Sequence, residues 1–291
     1  MNDHEMSSVS HHFNRAADRY DDYAIMQKMV VERLLERLDL VRIQPELVID
    51  IGSGTGHAAL KLGERYRRSR ILELDISPEM LRVSRRKTTR WFSRRKHIAA
   101  SAESIPIRSH VAQLVFSSLA YQWCNNLDQA FAEVKRVLAP GGLLMFSTAG
   151  PDTLKELREC WSCADSEQHV NRFFDMHDIG DALVRAGMSG VVMDVEMITL
   201  SYQDCLQLMR DLKYTGANNA SFSRNKNLTG KRKLEQVIQA YEKFRNPEGL
   251  PATYEIVYGH AWSDNNIKTA QKNSDLSYFP LEKLKSRLIK K

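Results

Sequence analysis

From Leu47 to Thr148 short apolar runs alternate with amphipathic stretches of helical period, the pattern of βαβ units in a parallel sheet. The runs predict strands at Leu47 to Ile51, Arg70 to Leu74, His97 to Ala100, Val111 to Ser117 and Leu143 to Thr148, with helices between them. Upstream, Val30, Leu34, Leu35 and Leu38 recur at helical spacing, so residues 9–40 read as helices packed beside the sheet. Downstream come helical patterns at Asp152 to Cys163 and Met176 to Ala186, and a strand-like run from Val191 to Leu200. A last alternating run, Tyr254 to Trp262, closes the pattern. The expectation is a doubly wound α/β fold in one domain spanning 1–262, with a cap inserted at about 202–250. Within the cap, Asn218 to Lys233 is polar and reads as a mobile loop, and the polar, basic tail 263–291 has little to bury.

The densest signal for chemistry is Asp50-Ile51-Gly52-Ser53-Gly54-Thr55-Gly56, where a buried strand runs into a glycine-rich turn and then a helix. Glycines there permit positive φ and close approach of a ligand to the backbone. A dinucleotide fingerprint reads GxGxxG; this one reads GxGxG and lacks the residue that helps to seat a pyrophosphate on the helix start. An adenosyl ligand without phosphates suits it better. The next strand ends in Glu73-Leu74-Asp75-Ile76, which puts the Asp75 carboxylate where it can accept hydrogen bonds from both ribose hydroxyls, or cap the helix that begins at Pro78.

Composition narrows this reading a little. The 291 residues carry a formal charge of +6 and are 43% hydrophobic, ordinary for a globular chain. No apolar run is long enough to span a membrane and the first residues hold no apolar signal core, so a cytoplasmic location is expected. Four cysteines do not build a disulfide framework, and Cys160 and Cys163 form a lone CxxC without a second pair, so no metal is expected. Arg82, Arg85, Arg86, Lys87, Arg90, Arg94, Arg95 and Lys96 run with no acidic residue among them. That stretch reads as a solvated face or as a landing surface for a polyanion.

The glycine loop and Asp75 resemble those of the class I S-adenosylmethionine-dependent methyltransferases over Leu47 to Thr148. The resemblance implies a Rossmann-like, seven-stranded and mostly parallel sheet. It also implies S-adenosyl-L-methionine as cofactor, held by Asp50, Gly52, Ser53, Gly54, Gly56, Asp75 and Ile76, by Ser101, Ala102 and Glu103 at the adenine edge, and by Ser117 and Leu119 at the end of the fourth strand. A narrower resemblance, to the malonyl-acyl-carrier-protein O-methyltransferases of biotin synthesis, rests on residues scattered along the chain. These include Phe13-Asn14-Arg15-Ala16-Ala17 with Tyr20-Asp21, Leu119-Ala120-Tyr121-Gln122-Trp123, His169-Val170-Asn171, and Leu212-Lys213 with Gly216-Ala217. It implies methylation of the carboxylate of malonyl-acyl carrier protein, an acidic partner for the basic stretch Arg82 to Lys96.

No general base is then needed, because a carboxylate is already ionised at neutral pH. Tyr20 is expected to close over the cofactor, Gln122 and Trp123 to wall the acceptor pocket, and Lys213 or Arg224 to orient the carboxylate. Three alternatives remain at this point: a nucleic-acid methyltransferase using the basic run, a small-molecule carboxyl methyltransferase, and a non-catalytic protein on the same fold. The first lacks an Asn/Asp-Pro-Pro-aromatic loop after the fourth strand and a Pro-Cys nucleophile, and nucleic acid is not the expected partner.

Overall fold

The computed structural model describes residues 3–88, 94–165, 167, 169–217 and 230–264. In chain order the elements are α1 (Asp3–Ala16), α2 (Tyr20–Tyr23), α3 (Ile25–Arg37), β1 (Leu47–Ile51), α4 (His57–Arg65), β2 (Arg70–Asp75), α5 (Pro78–Arg86), β3 (Arg95–Ala99), β4 (Ala112–Ser118), α6 (Leu127–Val137) and β5 (Leu138–Ala149). Then follow α7 (Lys155–Ser162), α8 (Met176–Arg185), β6 (Ser189–Tyr202), α9 (Cys205–Tyr214), α10 (Lys231–Tyr241) and β7 (Leu250–Trp262). The seven strands form one sheet in the order β3-β2-β1-β4-β5-β7-β6. The first five are parallel, and β7 runs antiparallel to both of its neighbours.

Strand parity explains the two-sided core. Val48, Leu114, Phe116 and Met145 face α3 and α4, whereas Ile49, Ile51, Val115 and Phe146 face α6 and α8. All five residues of β1 are therefore buried, and the apolar run of the sequence is a central strand. The chain reverses its winding between β1 and β4, so the carboxyl ends of these strands form the crevice in which such sheets bind ligands.

Two differences from the pattern have local causes. β5 begins at Leu138, ahead of the Pro140-Gly141-Gly142 turn, because its first residues pair with Ala112 before the register shifts. β6 and β7 are longer than their apolar runs, since they pair with each other from Ser189/Trp262 to Tyr202/Leu250. The expected loop at 218–233 falls mostly, and the expected tail from 265 onward wholly, outside the described residues. Among the described residues no helix is long and apolar enough to cross a membrane.

Candidate active site

The glycine loop leaves β1 with Gly52, Gly54 and Gly56 all at positive φ. Gly56 is required for a second reason: a Cβ there would run into Ser84 Oγ and Arg95 Nη2 and lie 2.9 Å from Glu73 Oε2. Those atoms belong to a buried ion pair beneath the loop, in which Arg95 Nε donates to fully buried Glu73 over 2.6 Å and the Ser84 hydroxyl donates to the same carboxylate. At Gly52 a Cβ would collide with the Ala120 methyl, whereas at Gly54 it would meet nothing and project into open space. Asp75 spans the loop and the next helix: its Oδ2 accepts from Gly54 N and its Oδ1 from Ser77 N, both at 2.8 Å. The cap of α5 itself is Ser77, which accepts from Met80 N.

Above the loop lies a cavity of about 100 Å³, floored by Gly52, Gly54, Asp75 and Ile76 and edged by Ser101, Ala102, Leu119 and Cys124. Its roof is N-terminal: Val9, Phe13 and Tyr20. Hydrogen bonds pin that roof to the second strand's end, from Ser10 Oγ to the Ile76 carbonyl (3.0 Å) and from Ser77 Oγ to Asn14 Oδ1 (2.7 Å). Asp21 adds a latch, accepting from Thr55 Oγ1 at 2.7 Å and pairing with Lys87 at 2.5 Å. A smaller space of about 50 Å³ continues past Asp50, Ser53 and Ser118. There Asp50 Oδ2 and Ser53 Oγ are buried without a hydrogen-bond partner. Such orphaned polar atoms, a cradle open at Gly54 and a carboxylate at the strand end fit the ribose and amino-acid portions of an adenosyl ligand.

A second and larger cavity, about 250 Å³, shares Phe13, Tyr20, Leu119 and Trp123 with the first. Phe13 and Trp123 meet edge to face at 5.4 Å and form the dividing wall. The rest comes from far apart in sequence, including Gln122, Asn171, Phe173, Tyr202, Tyr254, the α9 residues Gln207 and Asp211, and Thr215 at the end of that helix. Tyr20 lines all three spaces. Burial, with Asp75 and Asp21 nearby, pushes its hydroxyl pKa well up, so it remains a donor at any ordinary pH. Leu119 and Leu154 both line the larger cavity in the left-handed region, at φ 54° and 57°. Gln122 braces the first of them by donating to the Leu119 carbonyl at 2.8 Å, and accepts from Thr148 at 3.1 Å.

Several expected site residues take other places. The Ser117 hydroxyl points into the core and donates to the Ile51 carbonyl, so it is Ser118, one residue on and across the strand, that faces the ligand spaces. The Glu103 carboxylate caps the backbone of Asn125 and Asn126 and lines neither of the two larger cavities. Lys213 is exposed and lines neither, because the inner face of α9 carries Gln207 and Asp211, continued at four-residue spacing by Thr215 just past its end. Arg224 lies outside the described residues. The basic stretch is also thinner than its sequence: Arg95 is taken inside by Glu73, Arg82 pairs with Glu79 and Asp18, and Lys87 pairs with Asp21. Arg90 is outside the described residues, while Arg85 and Lys96 stay exposed. The resemblance places Ser118 with Ser117 and Leu119 at the end of the fourth strand, but sequence reasoning did not single out Cys124 or Asp211 as lining residues; helical period is the signal that bears on Asp211.

Fold and loop together define a class I S-adenosylmethionine-dependent methyltransferase. Residues 49–146 match the family described as methyltransferase domain. The solved YcgJ protein of Bacillus subtilis superposes with a TM-score of 0.57 at 15% identity, covering 81% of this chain and 99% of its own, a likeness of fold. Several relatives carry the name malonyl-[acyl-carrier protein] O-methyltransferase. That of Methylovorus sp. is 51% identical over 89% of both chains, and that of Nitrosospira multiformis is 46% identical over 86% of both. The chain belongs to the malonyl-[acyl-carrier protein] O-methyltransferase family, and its cofactor is S-adenosylmethionine.

Proposed function

We propose that the protein methylates the free carboxylate of a malonyl thioester carried on acyl carrier protein, giving the methyl ester from which pimeloyl formation for biotin proceeds. The observation that carries this reading is the pair of cavities that meet at Tyr20, Phe13, Leu119 and Trp123, one suited to the cofactor and one to an acyl acceptor. S-adenosylmethionine, when bound, would supply a methyl carbon on a positive sulfur; a carboxylate oxygen would bond to that carbon as the carbon–sulfur bond broke with its electron pair to sulfur, and no proton would need to move. The larger cavity accordingly presents amides, hydroxyls and aromatic rings, with no His, Lys or Arg among the described lining residues.

Placement is the chain's main task. Asp75 would accept hydrogen bonds from the ribose hydroxyls, the loop backbone at Gly52 and Gly54 would lie against the cofactor, Ser101 and Ala102 would edge the adenine, and Asp50 and Ser53 would serve the amino-acid end. Tyr20 donates its hydroxyl where the two spaces join, and Gln122 and Trp123 wall the acceptor. Holding the carboxylate in line with the methyl carbon is worth on the order of 7 to 11 kcal/mol of barrier. Roofing the cavity with α1 and α2 excludes water and strengthens the attraction between the anion and the sulfonium. The ester hides a charge that apolar elongation channels would reject.

The acidic carrier docks, in this reading, on the cations left exposed in the basic stretch, Arg85, Arg86 and Lys96 among them; its KM should then rise with salt more steeply than that of malonyl-coenzyme A. A cytoplasmic location belongs to the same reading, and the free thiols of Cys124, Cys160, Cys163 and Cys205 accord with it. The test is transfer of labelled methyl from S-adenosylmethionine to malonyl-acyl carrier protein, beside malonyl-coenzyme A and bulk RNA. Label in a base-labile ester on the carrier is expected. Label in RNA alone, or in none of them, would overturn the substrate.

A further inference from the structure

A cavity that takes a carboxylate would be expected to present a cation, yet among the described residues the one charged side chain lining the larger cavity is the acid Asp211. It stands on the inner face of α9, half-buried. Buried Tyr202 and Tyr254 line the same cavity beside it. Burial pushes the Asp211 carboxyl up, while Arg210 and the Tyr202 hydroxyl favour its ionised form. Arg210 is exposed, and its charge is shared with solvent.

We infer that Asp211 is a specificity residue that rejects acceptors bearing a second negative charge, so that a malonyl group is accepted only when its far end is neutral. A malonyl thioester has one anionic carboxylate and an uncharged thioester; free malonate has two carboxylates. When one carboxylate of malonate meets the methyl group, the other lies in the cavity with Asp211 and without a facing lysine or arginine among the described residues. At separations of several ångströms and an effective dielectric near 20, such repulsion weakens binding by about tenfold or more. The chain would thus keep its methyl group from free dicarboxylates by charge, without measuring their length.

This inference rests on the carboxylate-acceptor reading, and the experiment separates the two. Methyl transfer by the wild-type protein to malonyl-acyl carrier protein is measured first; its absence would remove the reading and the inference with it. Malonate and its neutral-ended isostere malonamate are then compared as competitive inhibitors of that transfer. The wild-type protein is expected to bind malonamate at least about tenfold more tightly than malonate. Asp211→Asn should bring the two inhibition constants together through a lower value for malonate, and Asp211→Glu, which keeps the charge, should keep them apart. Equal constants in the wild-type protein, or no inhibition by malonamate, would overturn the inference even if a variant failed to fold. So would Asp211→Asn leaving the ratio unchanged, or Asp211→Glu collapsing it equally.

Discussion

The two cavities are built on opposite principles. The cofactor cavity is made of strand ends and backbone: Gly52, Gly54, Asp75 and Ile76 come from two adjacent strands and the turns that leave them, fixed by the sheet register and by a buried ion pair. The acceptor cavity is made of side chains contributed by α2, α3, the segment after β4, β6, α9 and β7, with few local constraints linking them. A site on backbone is set as soon as the sheet forms. A site on side chains can change occupant by substitution without disturbing the sheet, and it is there that members of one fold class part company in substrate.

Breaking the foundation of the cofactor half should have the largest effect. Glu73→Gln leaves Arg95 as a buried charge without its partner and should cost about 3 to 5 kcal/mol in urea unfolding, with cofactor binding lost in parallel because the same pair underlies Gly56. A cost below 1 kcal/mol would show that the loop does not depend on the pair. Asp75→Asn sharpens the comparison at a smaller scale: cofactor affinity should fall about tenfold to a hundredfold, as for hydrogen bonds to a charged group. Malonyl-carrier binding, measured by its own titration, should barely change.

The pH dependence follows from the same residue. Burial pushes the Asp75 carboxyl up to about 6, although hydrogen bonds from Ser77 and Gly54 pull against it. Between the unfolded value near 4 and this one, the folded chain holds a proton that the unfolded chain has released. Its contribution to stability therefore falls as pH rises through that window. Cofactor binding runs the other way, since the ribose hydroxyls need the ionised form: affinity should weaken as pH drops below about 6, and Asp75→Asn should flatten the profile. A wild-type affinity constant from pH 5 to 8 would contradict the assignment.

The sequence was legible where causes are local. An unbroken apolar run marks β1 as central, glycines mark the turn, and Asp75 stands about twenty residues on at the next strand's end. Legibility fails where the cause is a contact between distant segments. Nothing in the basic stretch distinguishes Arg95, which leaves the surface to pair with the buried carboxylate of Glu73. Ser117 and Ser118 look alike in sequence; only the sheet says which one faces inward. Lys213 is the cation that the sequence offers for a carboxylate, but the helix turns it to solvent and presents Asp211 instead. The join at Tyr20 needs α1 and α2 folded over the sheet, which no local pattern encodes.

Ala217 lines the acceptor cavity and not the cofactor cavity, which makes it the place to test whether the two spaces serve different molecules. The measurement is S-adenosylhomocysteine affinity by titration, alongside methyl transfer to malonyl-acyl carrier protein, for Ala217→Trp. The account predicts affinity within about twofold of the wild-type protein and transfer reduced at least about a hundredfold, the indole filling much of the acceptor space. Transfer at the wild-type rate would contradict it, as would loss of both in a protein that still folds.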